Sequence, residues 1–194
     1  MLVSHEHKLV IFTSERTASQ CIHSSTGHLF EISIDGTKHR HLTALDYDKI
    51  IVPFVGNDYY KIAVVRDPIQ RIISFYNKIK VRNFKLISID DWWIISKKNN
   101  TKFISQYKQL LVNNQVYLDR LFDFNQIDLL RIYLEQVFGK TIKFKKVNQV
   151  IMNTTPLPKT IADMQSYLKD DIIFYKSIVD AGGELIINPY HPTP

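Results

Sequence analysis

The chain has 194 residues, of which 45% are hydrophobic and 23% charged, with 6 Gly and 7 Pro. That composition suits one domain with a real core and excludes disorder, collagen-like repeats and low-complexity arrays. Its 25 Lys and Arg against 19 Asp and Glu leave a formal charge of +6, which fits an anion site as well as a merely soluble basic surface, and the lone Cys21 excludes an intramolecular disulfide or a multi-cysteine metal cage.

Residues 1–8 read as polar, and the apolar run that starts at Leu9 is only four residues long, so no signal peptide is expected. Nothing approaches the roughly 18 apolar residues of a membrane helix, and a soluble, cytoplasmic protein is expected. Leu9, Val10, Ile11 and Phe12 form a buried strand that ends abruptly in a polar loop, residues 13–19, ahead of a helix predicted over 20–30. A second strand is predicted at 60–65, running into Arg66-Asp67-Pro68. Asp67 can cap free helix amides and Pro68 suits a first helical position, so a helix follows, with Ile69, Ile72, Ile73, Tyr76 and Ile79 on one face. The segment 80–115 mixes Trp92, Trp93, amides and lysines, and reads as helices with a long connection. Residues 127–138 form a periodic helix closed by Gly139, 141–147 alternate like a returning strand, Pro156 and Pro158 mark a loop, 160–178 are helical, and 187–194 form an extended tail. No repeat and no linker interrupts the chain, so 1–194 reads as one α/β domain with a mostly parallel central sheet flanked by helices.

Both predicted strands empty into loop-then-helix turns, which an open α/β sheet places side by side at the carboxyl ends of its strands, where ligands bind. The first amides of a helix lack internal partners and favour an anion. The 14–21 turn adds Arg16 as a fixed charge and Thr17 and Ser19 as hydroxyl donors. It has none of the glycines of a G-x-x-x-x-G-K-[ST] loop, and alone it reads equally as a solvated loop or a phosphate site. In the second turn, Arg66 at a strand end and Ser74 two helical turns on, facing the same way as Asp67 and Arg71, supply a planar fork and a hydroxyl for a phosphate. The bland alternative pairs Arg66 with Asp67.

Ser14-Glu15-Arg16-Thr17-Ala18-Ser19-Gln20-Cys21 resembles the P-K-T-[AG]-[GS]-T-S loop that holds the 5′-phosphosulfate in sulfotransferases, and Arg66-Asp67-Pro68-Ile69-Gln70-Arg71-Ile72-Ile73-Ser74-Phe75-Tyr76 is similar to their R-[DN]-P-x-x-R-x-x-S-x-[YF] motif. Lys38-His39-Arg40-His41-Leu42-Thr43-Ala44 looks like the K-H-x-T-A element of carbohydrate sulfotransferases, and Val147-Asn148 and 171–175 look like later family elements. The resemblance implies a P-loop NTPase-like sulfotransferase fold and a donor substrate, 3′-phosphoadenosine 5′-phosphosulfate, with no metal required. By the same resemblance Arg66 and Ser74 bind the 3′-phosphate, while Arg16, Thr17, Ala18, Ser19, Gln20 and Cys21 hold the 5′-phosphosulfate. Arg16 stands where the family usually has lysine, and is expected to stabilise charge on the bridging oxygen. His41, with His39 second, is the expected base for an acceptor hydroxyl.

The implied acceptor is a carbohydrate, with Phe84, Lys85, Trp92, Trp93, Lys97 and Lys98 as a possible sugar-facing surface. Two rivals keep the same strand-loop-helix site. One is an ATP-dependent kinase, which the missing Walker lysine argues against; the other is a non-catalytic nucleotide-binding protein in which the change at Arg16 has ended turnover. No nucleic-acid or membrane partner is expected.

Overall fold

The computed structural model describes residues 1–34, 41–82, 87–99, 101, 105–145 and 154–189. The chain begins in two buried antiparallel strands, β1 (Leu2–Ser4) and β2 (Leu9–Phe12), followed by α1 (Ser19–Thr26) and the short β3 (Ile32–Ser33). α2 (Ala44–Asp46), one π turn and α3 (Val52–Val55) lead to β4 (Tyr60–Val65) and α4 (Pro68–Arg82). Next come α5 (Ile89–Lys98), α6 (Gln106–Gln109), a small hairpin of β5 (Leu111–Val112) and β6 (Gln115–Val116), β7 (Arg120–Asp123) and α7 (Ile127–Phe138). α8 (Pro158–Tyr167), α9 (Lys169–Asp180) and β8 (Glu184–Ile186) follow.

Six strands form one mixed sheet in the order β3-β1-β2-β4-β7-β8. The centre is parallel, with Phe12 opposite Ala63 and Ala63 opposite Leu121, while β1, β3 and β8 join antiparallel at the flanks. β2 and β4 are buried at every position, as strands covered on both faces must be. On one face Val10, Phe12, Ala63, Val65 and Leu121 pack with Tyr47, Leu110, Phe174 and Ile178; on the other Leu9, Ile11, Ile62, Val64 and Phe122 pack with Ile22, Leu130 and Leu134. Parallel register brings the carboxyl ends of β2, β4 and β7 to one edge, so the turns after Phe12, Val65 and Asp123 are neighbours.

The helix expected over 20–30 breaks at Gly27, after which residues run as a 3₁₀ turn to Leu29. The strand expected over 141–147 does not form in its described part. The Ile142 amide is taken by Glu135 Oε1 at 2.8 Å and the Lys145 amide by Ser25 Oγ at 3.0 Å, so these side chains satisfy donors a ladder would need. Pro158 lies inside the first turn of α8, where its missing N–H costs nothing, and the 160–178 stretch is two helices meeting at Leu168. Trp92 and Trp93 are 8% and 1% exposed in a cluster with Ile72, Phe75 and Met164. Core burial corrects their expected role at a sugar surface; Trp93 Nε1 donates to Asp163, which Lys97 also contacts. Phe84 and Lys85 lie outside the described residues, as do Val147 and Asn148. No helix among the described residues is long and apolar enough to cross a membrane.

Candidate active site

The loop between β2 and α1 carries two non-glycine residues in the left-handed region, Arg16 at φ +65° and Ala18 at φ +59°. An L residue held there costs on the order of 1 kcal/mol or more, so the surroundings must hold the loop in shape. Inside it, the fully buried Thr17 donates its hydroxyl to the Ser14 carbonyl at 2.9 Å. That bond engages the hydroxyl expected as a ligand donor inside the loop itself. Ala18 is the N-cap of α1, Ser19 its nearly buried first residue, Gln20 exposed beside it and Cys21 half-buried. Burial raises the Cys21 thiol pKa, with a hydrogen bond to Ser25 opposing.

The rest of the support comes from one face of α4. Asp67 Oδ1 accepts the Gln70 amide at 2.7 Å, starting the helix as its sequence predicts. From there Arg71, Ser74 and Lys78, spaced three and four apart, all meet the loop. Arg71 Nε donates to the Glu15 carbonyl at 2.9 Å, Ser74 Oγ accepts from Arg16 Nε at 2.9 Å, and Lys78 Nζ donates to Glu15 Oε1 at 2.9 Å. Arg71 is 2% exposed, and burial pushes its guanidinium down to about 10, with the charges of Asp171 and Glu15 opposing.

Arg66 closes the other side. Its Nη1 donates to the Arg16 carbonyl at 3.2 Å and its guanidinium lies 4.3 Å from the centre of the Phe124 ring, at the end of β7. Burial first, and the neighbouring Arg16 charge second, lower its pKa, with Asp67 opposing. Its amide meets Gln106 Oε1 at 3.3 Å, while Gln106 Nε2 donates to the Val64 carbonyl at 2.8 Å, so a buried glutamine clamps the end of β4. Asp171 in turn accepts the Gln106 and Tyr107 amides at 2.7 and 3.0 Å and holds α6 in place.

His41 reaches the same loop from the other direction. The Thr43–Asp46 capping box fixes the start of α2, and two residues earlier His41 Nδ1 lies 2.5 Å from the Thr13 carbonyl. Its Nε2 is 3.9 Å from Glu15 Oε1. His39 lies outside the described residues. Of the predicted site, the fold thus brings Arg16, Ser19, Arg66, Ser74 and His41 to one sheet edge. Sequence reasoning missed Glu15, Lys78, Phe124 and Gln106; the helical spacing of Lys78 from Ser74 was the one available signal. A cavity of about 450 Å³ lined by Ser25, His28, Lys140, Ile142 and Lys143 lies at the far end of α1 and contains none of these residues.

A strand-loop-helix turn at the carboxyl edge of a parallel core, with Arg66 bonded to the backbone of Arg16, has the form of an anion site in an α/β fold. A model of the sulfotransferase family matches residues 3–127, a span that holds the loop, α4 and the end of β7. No curated protein and no solved structure matches the chain. The chain belongs to the sulfotransferase family, and with that membership it is a transferase that takes its sulfuryl group from 3′-phosphoadenosine 5′-phosphosulfate.

Proposed function

We propose that the protein moves the sulfuryl group to a carbohydrate hydroxyl. Arg66 and Ser74 hold the donor's 3′-phosphate, while the amides of residues 17–21, the Ser19 hydroxyl and Arg16 hold the 5′-phosphosulfate. The observation that carries this assignment is the juxtaposition of Arg16 and Arg66. Two half-buried guanidiniums repel each other there, and an anion between them relieves that repulsion and restores what burial removed. Arg16 is tied to Ser74, a bond that links the residues assigned to the two ends of the donor.

Catalysis then requires little covalent work from the protein, because positioning and charge stabilisation dominate such transfers. His41 takes the proton of the acceptor hydroxyl, whose oxygen forms the new bond to sulfur. As the bond from sulfur to the bridging oxygen breaks, that oxygen keeps the electron pair and Arg16 stabilises its charge. The carbohydrate preference rests on the K-H-x-T-A resemblance around His41, now without the two tryptophans. Incubating the protein with labelled donor and a panel of neutral glycans, acidic glycans and small alcohols tests this directly. Transfer to glycans that Arg16→Ala abolishes supports it; transfer confined to small alcohols sinks the carbohydrate assignment. The non-catalytic reading draws on one observation, the capture of Arg16 Nε by Ser74, and predicts donor binding with no transfer to any member of the panel.

A further inference from the structure

Glu15 stands where the resembling loop motif has proline, and nothing in the phosphate-binding assignment uses its carboxylate. Its Oε1 is nonetheless the meeting point of two side chains from opposite sides, Lys78 Nζ at 2.9 Å and His41 Nε2 at 3.9 Å. All three side chains are about three-quarters buried. On the other edge of the imidazole, Nδ1 faces the Thr13 carbonyl at 2.5 Å. A carbonyl oxygen can only accept, so Nδ1 must carry a hydrogen and Nε2 is the position that gains or loses a proton.

We propose that Glu15 and Lys78 are positioning residues that together set the proton affinity of His41 Nε2, a role that rests on the reading of His41 as the base for the acceptor hydroxyl. The carboxylate favours the imidazolium that His41 becomes once it has accepted the proton. Lys78, bonded to the same oxygen, withdraws part of that effect, so the pair holds His41 between too weak a base and one already protonated at working pH. Among the described residues, other charges near this corner are Arg71, which donates to the Glu15 carbonyl, Arg16 on the next residue, tied to Ser74, and Asp46, held in the Thr43 cap. The opposite charges of Glu15 and Lys78 predict opposite signs. Glu15→Gln keeps the side chain's size but removes its charge, and should lower the His41 midpoint by at least about one pH unit, the shift that a unit charge at this distance would give even with the screening of bulk water. Lys78→Met should raise it, and Lys78→Arg should leave it near the wild-type value.

The test is an NMR titration of the His41 ring in the full chain without donor, assigned by comparison with His41→Gln, alongside the pH profile of kcat/KM for transfer. Expected are a ring protonated at Nδ1 above its midpoint, shifts of opposite sign in the two charge-removing variants, and an acidic limb of the profile that follows them. A ring protonated at Nε2 alone, or midpoints that move the same way or not at all, overturns the proposal. Correct titration shifts in a protein that transfers nothing would instead overturn the transferase reading of His41 and leave the electrostatic coupling standing. Transfer whose acidic limb ignores both variants overturns the coupling and leaves the transferase reading intact.

Discussion

Replacing Arg71 with methionine separates what holds the loop from what holds the fold. The side chain is fully buried, and the drop of its pKa from 12.5 to about 10 means that the folded protein disfavours its charge by about 3 kcal/mol at any pH below that value. Arg71→Met removes this penalty with little change in volume. Against it stands the Glu15 carbonyl, which loses its 2.9 Å donor, at a cost of about 1–3 kcal/mol. Asp171 keeps its bonds to the Gln106 and Tyr107 amides and to Ser105 Oγ. The two effects nearly cancel, so net stability should move by less than about 2 kcal/mol, a Tm shift of no more than about 8 °C for a chain of this size. Binding should not be spared, because the loop loses a tether at the residue before the left-handed Arg16. Affinity for 3′-phosphoadenosine 5′-phosphate should fall about tenfold, or about 1.4 kcal/mol. Differential scanning calorimetry and isothermal titration on the same preparations read both quantities. A Tm loss well beyond 8 °C would show the buried charge to be a net stabiliser, and unchanged affinity would show that α4 does not shape the loop.

Three further outcomes follow from the same geometry. Gln106→Leu leaves the Val64 carbonyl and the Arg66 amide without their side-chain partner, and should cost about 2–4 kcal/mol, seen as a lower midpoint in urea at unchanged slope. Ser74→Ala removes the acceptor of Arg16 Nε and the hydroxyl proposed to meet the 3′-phosphate; nucleotide affinity should fall about tenfold while the unfolding free energy in urea stays within about 0.5 kcal/mol of the parent. Cys21, its thiol pushed up mainly by burial, should be alkylated by iodoacetamide more slowly than free cysteine at pH 8, with a rate still climbing above pH 9; mass spectrometry reads this, and a rate equal to that of free cysteine would contradict the burial argument.

What could be read from the chain alone was local. Asp67 and Pro68 start α4, Gly139 at φ +61° closes α7, and the all-apolar β2 and β4 declare themselves because each signal lies within a few residues. The parallel centre and its binding edge follow from two such strand-to-helix turns. β1 and β7 were missed for the opposite reason: three and four residues carry too little periodicity, and their burial is decided by neighbours distant in sequence. The tryptophan pair misled because aromatic composition is the same in a core and on a sugar platform, and only packing against α4 and α8 tells them apart. The support of the loop is equally non-local. Glu15 meets Lys78 across 63 residues and Gln106 meets Arg66 across 40, so their roles are invisible until the fold joins them.

The central claim is that Arg16 and Arg66 form one polyanion site for the sulfuryl donor. Its most direct test is calorimetric titration of 3′-phosphoadenosine 5′-phosphate into the parent protein and Arg66→Ala. Saturable binding in the parent, weakened at least a hundredfold in the variant while its Tm stays close, is the predicted result; loss of one bidentate charge contact of about 3 kcal/mol gives that factor. No binding to the parent, or equal binding to both, would contradict the account.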